Sequence, residues 1–356
     1  MAAPQMIEDF LRNIQLRKGS DLHVIAGDPP RMRVNGDLIS LQKQPLDPGK
    51  LQEALFGIMT EASREQFEAN DAADFAYSIE DLARFRVNVF RHLRGIGAVF
   101  RSIPSQALTL EQLGMPTSVR DFTRASRGLI LVTGKTGSGK TTTLAAMIDE
   151  INQHQHGHIL TIEDPIEFVH QRQNCLISQR EIGIHTDSFS DALHSALRED
   201  PDVILVGELR DLETMSVAMT AAEMGVLVLG TLHTNGAAST IDRVINIFPA
   251  EKQDHIRNML STSLRGVISQ QLAKTKDGKG RVAVLEILVN TSAVANLIRQ
   301  GKLEQLESVM QSGGAYGMRT MDGALEELHK RRVISGEEAY MQAFDKNKFE
   351  KFRDVS

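Results

Sequence analysis

The sequence lacks three features, each of which would have pointed to a different class of protein. It contains one cysteine, Cys175, so neither a disulfide framework nor a cysteine zinc site is available. No apolar run approaches the roughly eighteen residues that indicate a transmembrane helix. Basic residues are not in excess, because 40 Lys and Arg stand against 46 Asp and Glu, for a net charge of −6. This balance disfavours a general nucleic-acid binder, which is more often basic.

What the composition does contain is ordinary for a globular protein. Hydrophobic residues make up 41% of the chain and charged residues 24%, and 356 residues favour two domains over one. The first nineteen residues mix Glu8, Asp9 and Arg12 into their apolar positions, so they lack the core of a signal peptide. We therefore expect a cytoplasmic protein without a membrane span.

The most informative segment is the run GKTGSGKT at residues 134–141, which fits the phosphate-binding loop pattern G-x-x-x-x-G-K-[ST]. An apolar run at 129–132 predicts a buried strand before the loop, and residues 142–151 predict a helix after it. Such a loop curls its backbone N–H groups around a polyphosphate at a helix N-terminus. The predicted cofactors are ATP and Mg²⁺, with Lys140 on the β- and γ-phosphates and Thr141 on the metal. The candidate nucleotide-binding residues are Gly134, Thr136, Gly137, Ser138, Gly139, Lys140, Thr141 and Thr142.

The patterns on either side of residue 103 differ. Before it, short strands and turns predominate, with strands predicted at 22–27, 31–36, 37–41, 84–92 and 97–103 and helices at 51–59 and 61–68. Pro104, Ser105 and Gln106 break this pattern and predict a hinge. We expect an N-terminal domain over 1–103, a hinge linker over 104–110 and an ATPase domain over 111–356.

The second domain alternates strand and helix, which predicts an α/β fold. Its strands are almost continuously apolar, as a parallel sheet covered on both faces requires. A RecA-like P-loop NTPase core is therefore expected. The predicted strands are 129–133, 159–163, 203–207 and 226–232, followed by helices over 252–270, a strand over 281–289 and further helices.

Three side chains at the ends of these strands are candidates for chemistry. Glu163 and Glu208 each follow an apolar strand, where a carboxylate could anchor Mg²⁺ or orient water. A carboxylate at a strand end can also merely cap the next helix, but two of them downstream of a P-loop favour the catalytic interpretation. His233 ends the fourth strand at the same edge and is predicted to sense the γ-phosphate rather than to be a surface histidine.

Arginines alternate with apolar residues in the predicted strand at 84–92. Arg84 and Arg86 share one face, Phe85 and Val87 the other, and Arg101 follows on the paired strand. The pattern leaves two interpretations open. These arginines form a solvated basic face, or they are arginine fingers that neutralise charge on a transferring phosphoryl group of a neighbouring subunit.

With these residues in view, the chain resembles the PilT-type retraction ATPases of type IV pili, in the type II/IV secretion ATPase superfamily. The resemblance extends over residues 19–339. The Asp box of that family is similar to residues 160–170 (LTIEDPIEFVH), and its atypical Walker B motif is similar to residues 200–208 (DPDVILVGE). The runs QRE at 179–181 and SALR at 195–198 also match.

The resemblance implies a hexameric ring that hydrolyses ATP to retract pili in twitching motility. It implies a smaller PAS-like α+β N-terminal domain, arginine fingers at Arg86 and Arg101, and a division of water activation and Mg²⁺ coordination between Glu163 and Glu208. Of these two, we assign the catalytic base to Glu163 and the Mg²⁺ shell to Glu208. The implied partners are an inner-membrane platform protein and a paralogous retraction ATPase, with the ring peripheral at the inner face of the cytoplasmic membrane. The missing four-cysteine zinc module, typical of extension and secretion relatives, favours retraction.

Some positions depart from the family pattern. The family His box carries two histidines, but its first histidine is Val226 here and a family threonine is Met224. The late AIRNLIRE motif is replaced by AVANLIRQ at 293–300. We expect Val226, placed in a buried strand, to weaken the coupling between nucleotide and neighbouring helices. A PilU-like accessory ATPase and a low-turnover, nucleotide-gated regulator stay open as alternatives, and a nucleic-acid motor is disfavoured by the acidic balance.

Overall fold

The structure is a computed structural model that describes residues 3–17, 19–34, 37–80, 82–103, 107–278 and 280–352. The chain divides into two compact units, Met1–Gln106 and Ala107–Ser356. The first three residues of the predicted hinge, 104–106, lie outside the described residues, so the hinge stays a prediction.

The first unit combines three helices with an antiparallel sheet. Its helices are α1 (Ala3–Leu16), α2 (Pro48–Ile58) and α3 (Glu61–Asn70). Its strands are β1 (Asp21–Ile25), β2 (Arg31–Val34), β3 (Asp37–Ser40), β4 (Ala72–Ile79), β5 (Ala83–His92) and β6 (Gly95–Ile103). They pair in the order β3-β2-β1-β6-β5-β4, so the chain forms an α+β unit here.

The alternation predicted for the arginine strand is confirmed. Phe85 and Val87 on β5 are fully buried, whereas Arg86 between them is exposed. One face of β5 therefore packs into the core, and the other presents its arginines outward. Strand β4, which pairs with β5 along its whole length, was not predicted from the sequence.

The second unit contains the remaining elements. Its strands are β7 (Gly128–Thr133), β8 (His158–Glu163), β9 (Leu176–Glu181), β10 (Val203–Val206), β11 (Leu227–Leu232), β12 (Leu264–Lys274) and β13 (Arg281–Val289). Its α-helices are α4 (Thr117–Thr123), α5 (Lys140–His154), α6 (Phe189–Ala196), α7 (Leu212–Met224), α8 (Ala237–Asn246), α9 (Gln253–Ser263), α10 (Ser292–Gln300), α11 (Leu306–Ser312), α12 (Met321–Lys330), α13 (Gly336–Gln342) and α14 (Lys346–Phe349). Short 3₁₀ turns lie at Ala250–Lys252, Leu303–Gln305, Gly313–Tyr316 and Glu350–Phe352.

The strands of this unit form one sheet in the order β13-β12-β7-β11-β10-β8-β9. Every pairing from β12 to β9 is parallel, and β13 adds an antiparallel strand at one edge. All residues of β7, β10 and β11 are buried, as expected for a sheet with helices on both faces. The predicted α/β class with a parallel P-loop core is confirmed.

The prediction of helices over 252–270 is confirmed up to Ser263 and wrong beyond it. Helix α9 ends at Ser263, and β12 then runs from Leu264 to Lys274 between β7 and β13. Its partners lie 135 positions upstream and about 20 positions downstream in the pairs Leu264↔Leu129 and Gly266↔Val289. Because these contacts are distant in sequence, local propensity does not determine the conformation here.

Candidate nucleotide-binding site

The predicted site residues of the second unit come together because parallel strands end at one edge of the sheet. Thr133 at the end of β7 pairs with Leu232 at the end of β11, and Gly230 pairs with Val206 at the end of β10. Val206 in turn pairs with Ile162, next to the last residue of β8. The P-loop, Glu163, Glu208 and His233 therefore follow neighbouring strand ends, where ligands of open α/β sheets bind.

The loop that follows β7 has the backbone of a phosphate cradle. Gly134, Gly137 and Gly139 have φ of 141°, 80° and 89°, values that side-chain-bearing residues rarely adopt. Helix α5 begins at Lys140, two residues before the predicted start, because Gly139 ends the loop as its N-cap. The free N–H groups of the first turn of α5 thus lie next to the loop, where the helix dipole favours an anion.

Two side chains of the loop fit a phosphate group. The Ser138 hydroxyl is buried and has no hydrogen-bond partner among the described residues. The Lys140 ammonium donates to the carbonyl oxygens of Gly134 at 2.8 Å and Lys135 at 3.3 Å. Burial lowers the pKa of Lys140, and the carboxylates of Glu208 and Glu167 oppose that effect. An anion at this position would satisfy both the hydroxyl and the ammonium group.

Glu208 lies between the side chains of Arg210 and His233. One carboxylate oxygen is 2.8 Å from the Arg210 guanidinium, and the other is 3.4 Å from Nε2 of His233. Burial alone would raise the pKa of Glu208, but the Arg210 hydrogen bond and the His233 charge outweigh it and hold that pKa below its usual value. Glu208 is therefore an ionised carboxylate, the kind of hard oxygen donor that Mg²⁺ prefers.

Glu163 has the opposite surroundings. Its side chain is buried, and one carboxylate oxygen accepts hydrogen bonds from the Thr161 hydroxyl at 2.6 Å and the Gln179 amide at 3.2 Å. Burial raises the pKa of Glu163, and these hydrogen bonds only partly oppose the effect. A carboxylate with a raised pKa is a better proton acceptor near neutral pH than an ordinary one.

Arg86 and Arg101 belong to the first unit and lie directly opposite each other on β5 and β6. Like charges at such a position repel each other, but each arginine has an acidic neighbour. The Arg101 guanidinium is 2.9 Å from the buried Asp21 carboxylate, and that of Arg86 is 4.0 Å from Asp74. Arg101 keeps 71% of its side chain exposed, so its charge remains accessible to solvent.

Several residues at the site carry no recognisable motif role in the sequence. Thr161, Gln179 and Arg210 orient the two glutamates, and Gln270 contacts the loop from β12. Thr161 and Arg210 could have been found from the sequence, because each lies two positions from one of the two glutamates. Gln179 and Gln270 lack such a signal, since their partners are distant in sequence.

The structure places Val226 just outside the buried strand in which it was expected, and its effect on coupling stays a prediction. The strand β11 begins one residue later, at Leu227, and Val226 lies at the end of β11 away from His233. Its carbonyl oxygen accepts a hydrogen bond from the Gly128 N–H at 3.0 Å, at the start of β7. At about 3.3 Å per residue, position 226 lies about 20 Å from the loop edge of the same subunit. Val226 is therefore a packing residue at the end of β11 opposite the P-loop.

Comparison with known proteins places these features in a family. The model of the type II/IV secretion system protein family matches residues 2–337. The type IV pilus retraction ATPase PilT of Pseudomonas aeruginosa is 53% identical over 91% of this chain and 94% of its own length. The type IV pilus ATPase PilU of the same organism is 43% identical over 96% of this chain and 89% of its own.

A solved structure agrees with these relatives. The crystal structure of the pilus retraction motor PilT with bound ADP superposes with a TM-score of 0.90 at 43% identity, covering 99% of each chain. The chain therefore belongs to the type II/IV secretion system protein family. The predicted resemblance to the PilT-type ATPases is confirmed. Within the residues that the structure describes, no helix is long and apolar enough to cross a membrane.

Proposed function

We propose that this chain is the subunit of an ATP-hydrolysing motor that retracts type IV pili in twitching motility. The observation that carries the proposal is the meeting of Lys140, Glu163, Glu208 and His233 at one edge of a parallel sheet. The relatives support retraction rather than extension of the pilus, because PilT of Pseudomonas aeruginosa is named a retraction ATPase. PilT in the solved structure has bound ADP, which supports a nucleoside triphosphate as substrate.

The roles in hydrolysis follow from the chemistry of each side chain. The loop N–H groups, the Ser138 hydroxyl and Lys140 would hold the phosphates, while Thr141 and Glu208 would hold Mg²⁺, which neutralises phosphate charge when bound. Glu163 accepts a proton from the attacking water, because burial raises its pKa and makes it a stronger base than an ordinary glutamate. His233 senses the γ-phosphate, and its contact with Glu208 supports this role.

Assembly and location belong to the same proposal. Arg86 and Arg101 act on the nucleotide of a neighbouring subunit in a hexameric ring. The ring binds a platform protein at the inner face of the cytoplasmic membrane, and a paralogous ATPase shares the work. Support comes from the accessibility of Arg101 and from the similarity of the chain to both PilT and PilU.

The ATPase proposal is tested by Lys140→Ala. We expect the wild-type chain to hydrolyse ATP steadily and the variant to lose hydrolysis, because the ammonium contact to the phosphates is gone. Lys302→Ala, which removes an exposed lysine, is the matched control and should keep the wild-type rate. Each protein is assayed by phosphate release, with and without single-stranded DNA. Hydrolysis by Lys140→Ala at the wild-type rate would refute the site, and strong stimulation by DNA would favour a nucleic-acid motor.

An accessory role like that of PilU is the second candidate, favoured by the 43% identity over nearly the whole chain. The two roles are distinguished by expressing the chain in bacteria that lack both retraction ATPases. A motor should restore twitching by itself, whereas an accessory subunit should restore it only when a PilT is supplied as well.

A further inference from the structure

We propose that Gln270 on β12 is a positioning residue that fixes the direction of a phosphate-binding N–H group in the P-loop. This inference rests on the proposed nucleotide site and adds a residue to it. Gln270 is 2% exposed and lies where β12 runs parallel to β7, one residue beyond the pair Ser269↔Thr133. That register places it beside the start of the loop.

Both ends of the Gln270 amide are hydrogen-bonded. Its nitrogen donates to the carbonyl oxygen of Ser138 at 2.7 Å, and its oxygen accepts from the hydroxyl of Thr143 at 2.7 Å. The carbonyl can only accept, so the amide nitrogen must face the loop and the Thr143 hydroxyl must donate. One side chain thus joins β12, the P-loop and the first turn of α5.

The packing around Gln270 is close enough to require glycine on both sides. A Cβ atom at Gly134 would lie 2.3 Å from the backbone carbonyl oxygen of Gln270, and one at Gly139 would lie 2.8 Å from the side-chain amide nitrogen of Gln270. No Cβ atom fits at such distances without displacing the neighbour. Two glycines of the loop motif therefore make room for β12 as well as for phosphate.

The contact to Ser138 has a direct consequence for phosphate binding. A trans peptide unit is planar, so the Ser138 carbonyl and the Gly139 N–H point in opposite directions. When Gln270 holds the carbonyl oxygen toward β12, the N–H of the same peptide unit turns toward the interior of the loop. If the N–H group already points toward the phosphate position, phosphate binding does not have to order it. If it does not, the entropy lost in ordering it makes the binding free energy less favourable.

The strand that carries Gln270 is itself anchored from its other face. The Ser269 hydroxyl accepts a hydrogen bond from the Gly236 N–H at 2.9 Å. Glu286, which pairs with Ser269, accepts from the Ala237 N–H at 2.6 Å and the Met321 N–H at 3.2 Å. Because β12 and its partner β13 are held by the starts of α8 and α12, the backbone that carries the Gln270 amide is fixed in position.

The test compares Gln270→Met with Gln271→Met. The first removes both amide contacts at similar volume, and the second makes the same change one residue away, where the side chain leaves the strand on the opposite face. We expect the Kd for a fluorescent ADP analogue to rise about tenfold in Gln270→Met only. KM for ATP should rise by a similar factor while kcat changes much less, because the N–H binds substrate and transition state alike.

A second pair of variants serves if Gln270→Met does not fold. Thr143→Val removes the hydroxyl that orients the amide and should weaken ADP binding about twofold to tenfold, whereas Thr143→Ser keeps the hydroxyl and should recover most of the affinity. Wild-type ADP affinity in Gln270→Met would overturn the inference about Gln270, and so would equal affinity in the two Thr143 variants. Neither result would affect the proposed function. If the wild-type chain binds no ADP, the proposed function and this inference both fail.

Discussion

Two glutamates at neighbouring strand ends have opposite electrostatic surroundings, and this difference supports a division of roles between them. Glu208 contacts Arg210 and His233, and its pKa is lowered. Glu163 is buried against Thr161 and Gln179, and its pKa is raised. Pairs of titratable groups whose surroundings separate their pKa values are a recurring source of distinct acid, base and metal-binding roles.

The division of roles predicts different phenotypes for the two amide variants. Glu163→Gln should bind ATP with Mg²⁺ normally yet hydrolyse it about a hundredfold more slowly, because an amide cannot accept the proton from water. Glu208→Gln should instead need more Mg²⁺ for half-maximal activity, since a negatively charged oxygen ligand is lost. Steady-state rates over a range of Mg²⁺ concentrations distinguish the two, and an exchange of these phenotypes would reverse the assignment.

The pH profile of the wild-type enzyme checks the same assignment. Glu163 must be ionised to act as a base, and burial raises its pKa. As pH falls, kcat should therefore decline at a higher pH than the ordinary pKa of a glutamate would give. The decline of kcat at low pH should be absent from the pH profile of Glu163→Gln. If that variant still shows the same decline, the titrating group is not Glu163.

At the scale of elements, the sequence predicted the strands whose apolar pattern is clear and missed others. Among those missed are β4, which pairs with the next strand β5, and β12, whose partner β7 is distant in sequence. The apolar runs of β7, β8, β10 and β11 identified the sheet and brought Glu163, Glu208 and His233 to one edge. Strand β12 carries the polar residues Ser269 and Gln270 inward, because the P-loop and the start of α8 satisfy them. A run of residues with such partners does not have the apolar pattern of a buried strand.

Gly266 on β12 provides a test of how tightly that strand is packed. A Cβ atom there would lie 2.2 Å from the Phe122 ring and 2.6 Å from the Leu288 carbonyl oxygen. Gly266→Ala should therefore lower the free energy of unfolding by roughly 1–3 kcal/mol, since the backbone carbonyl cannot rotate away. Gly314→Ala, whose Cβ would meet open space, should change it by less than about 0.5 kcal/mol. Urea unfolding without nucleotide measures both, and equal midpoints would show that β12 adapts.

The position of Val226, one residue before β11, leads to a prediction about its replacement by histidine. It lies at the end of that strand away from His233, so Val226→His should leave ATP turnover within about twofold of wild type. The side chain packs against the hydrophobic core, so an imidazole there should lower stability by about 1 kcal/mol. Turnover is compared at equal folded concentration. A several-fold increase would restore the original expectation that this position couples to the nucleotide.

At the scale of the whole molecule, the N-terminal unit supplies two arginines, and the second unit contains the phosphate loop. Arg86 and Arg101 lie side by side across β5 and β6, each with an acidic neighbour on the same sheet. Arg101 is paired with the buried Asp21 carboxylate, whereas the Arg86–Asp74 pair is long and exposed on both sides. An exposed ion pair is worth little, so the Arg86 guanidinium can exchange its partner for a phosphate at small cost. This property fits a residue that acts only when a neighbouring subunit brings a nucleotide to it.

Mixed rings test whether those arginines act between subunits. Lys140→Ala subunits keep both arginines but lack a working loop, and Arg101→Ala subunits keep the loop but lack one arginine. Each alone should be nearly inactive, whereas mixing them should restore part of the ATPase activity, because some loops then face an intact arginine. Arginine fingers contribute about 10³–10⁵ in rate in other P-loop enzymes, so partial rescue is easily measured. Mass spectrometry must establish that the rings are mixed hexamers. Mixed rings without rescue would place Arg101 outside the neighbouring site.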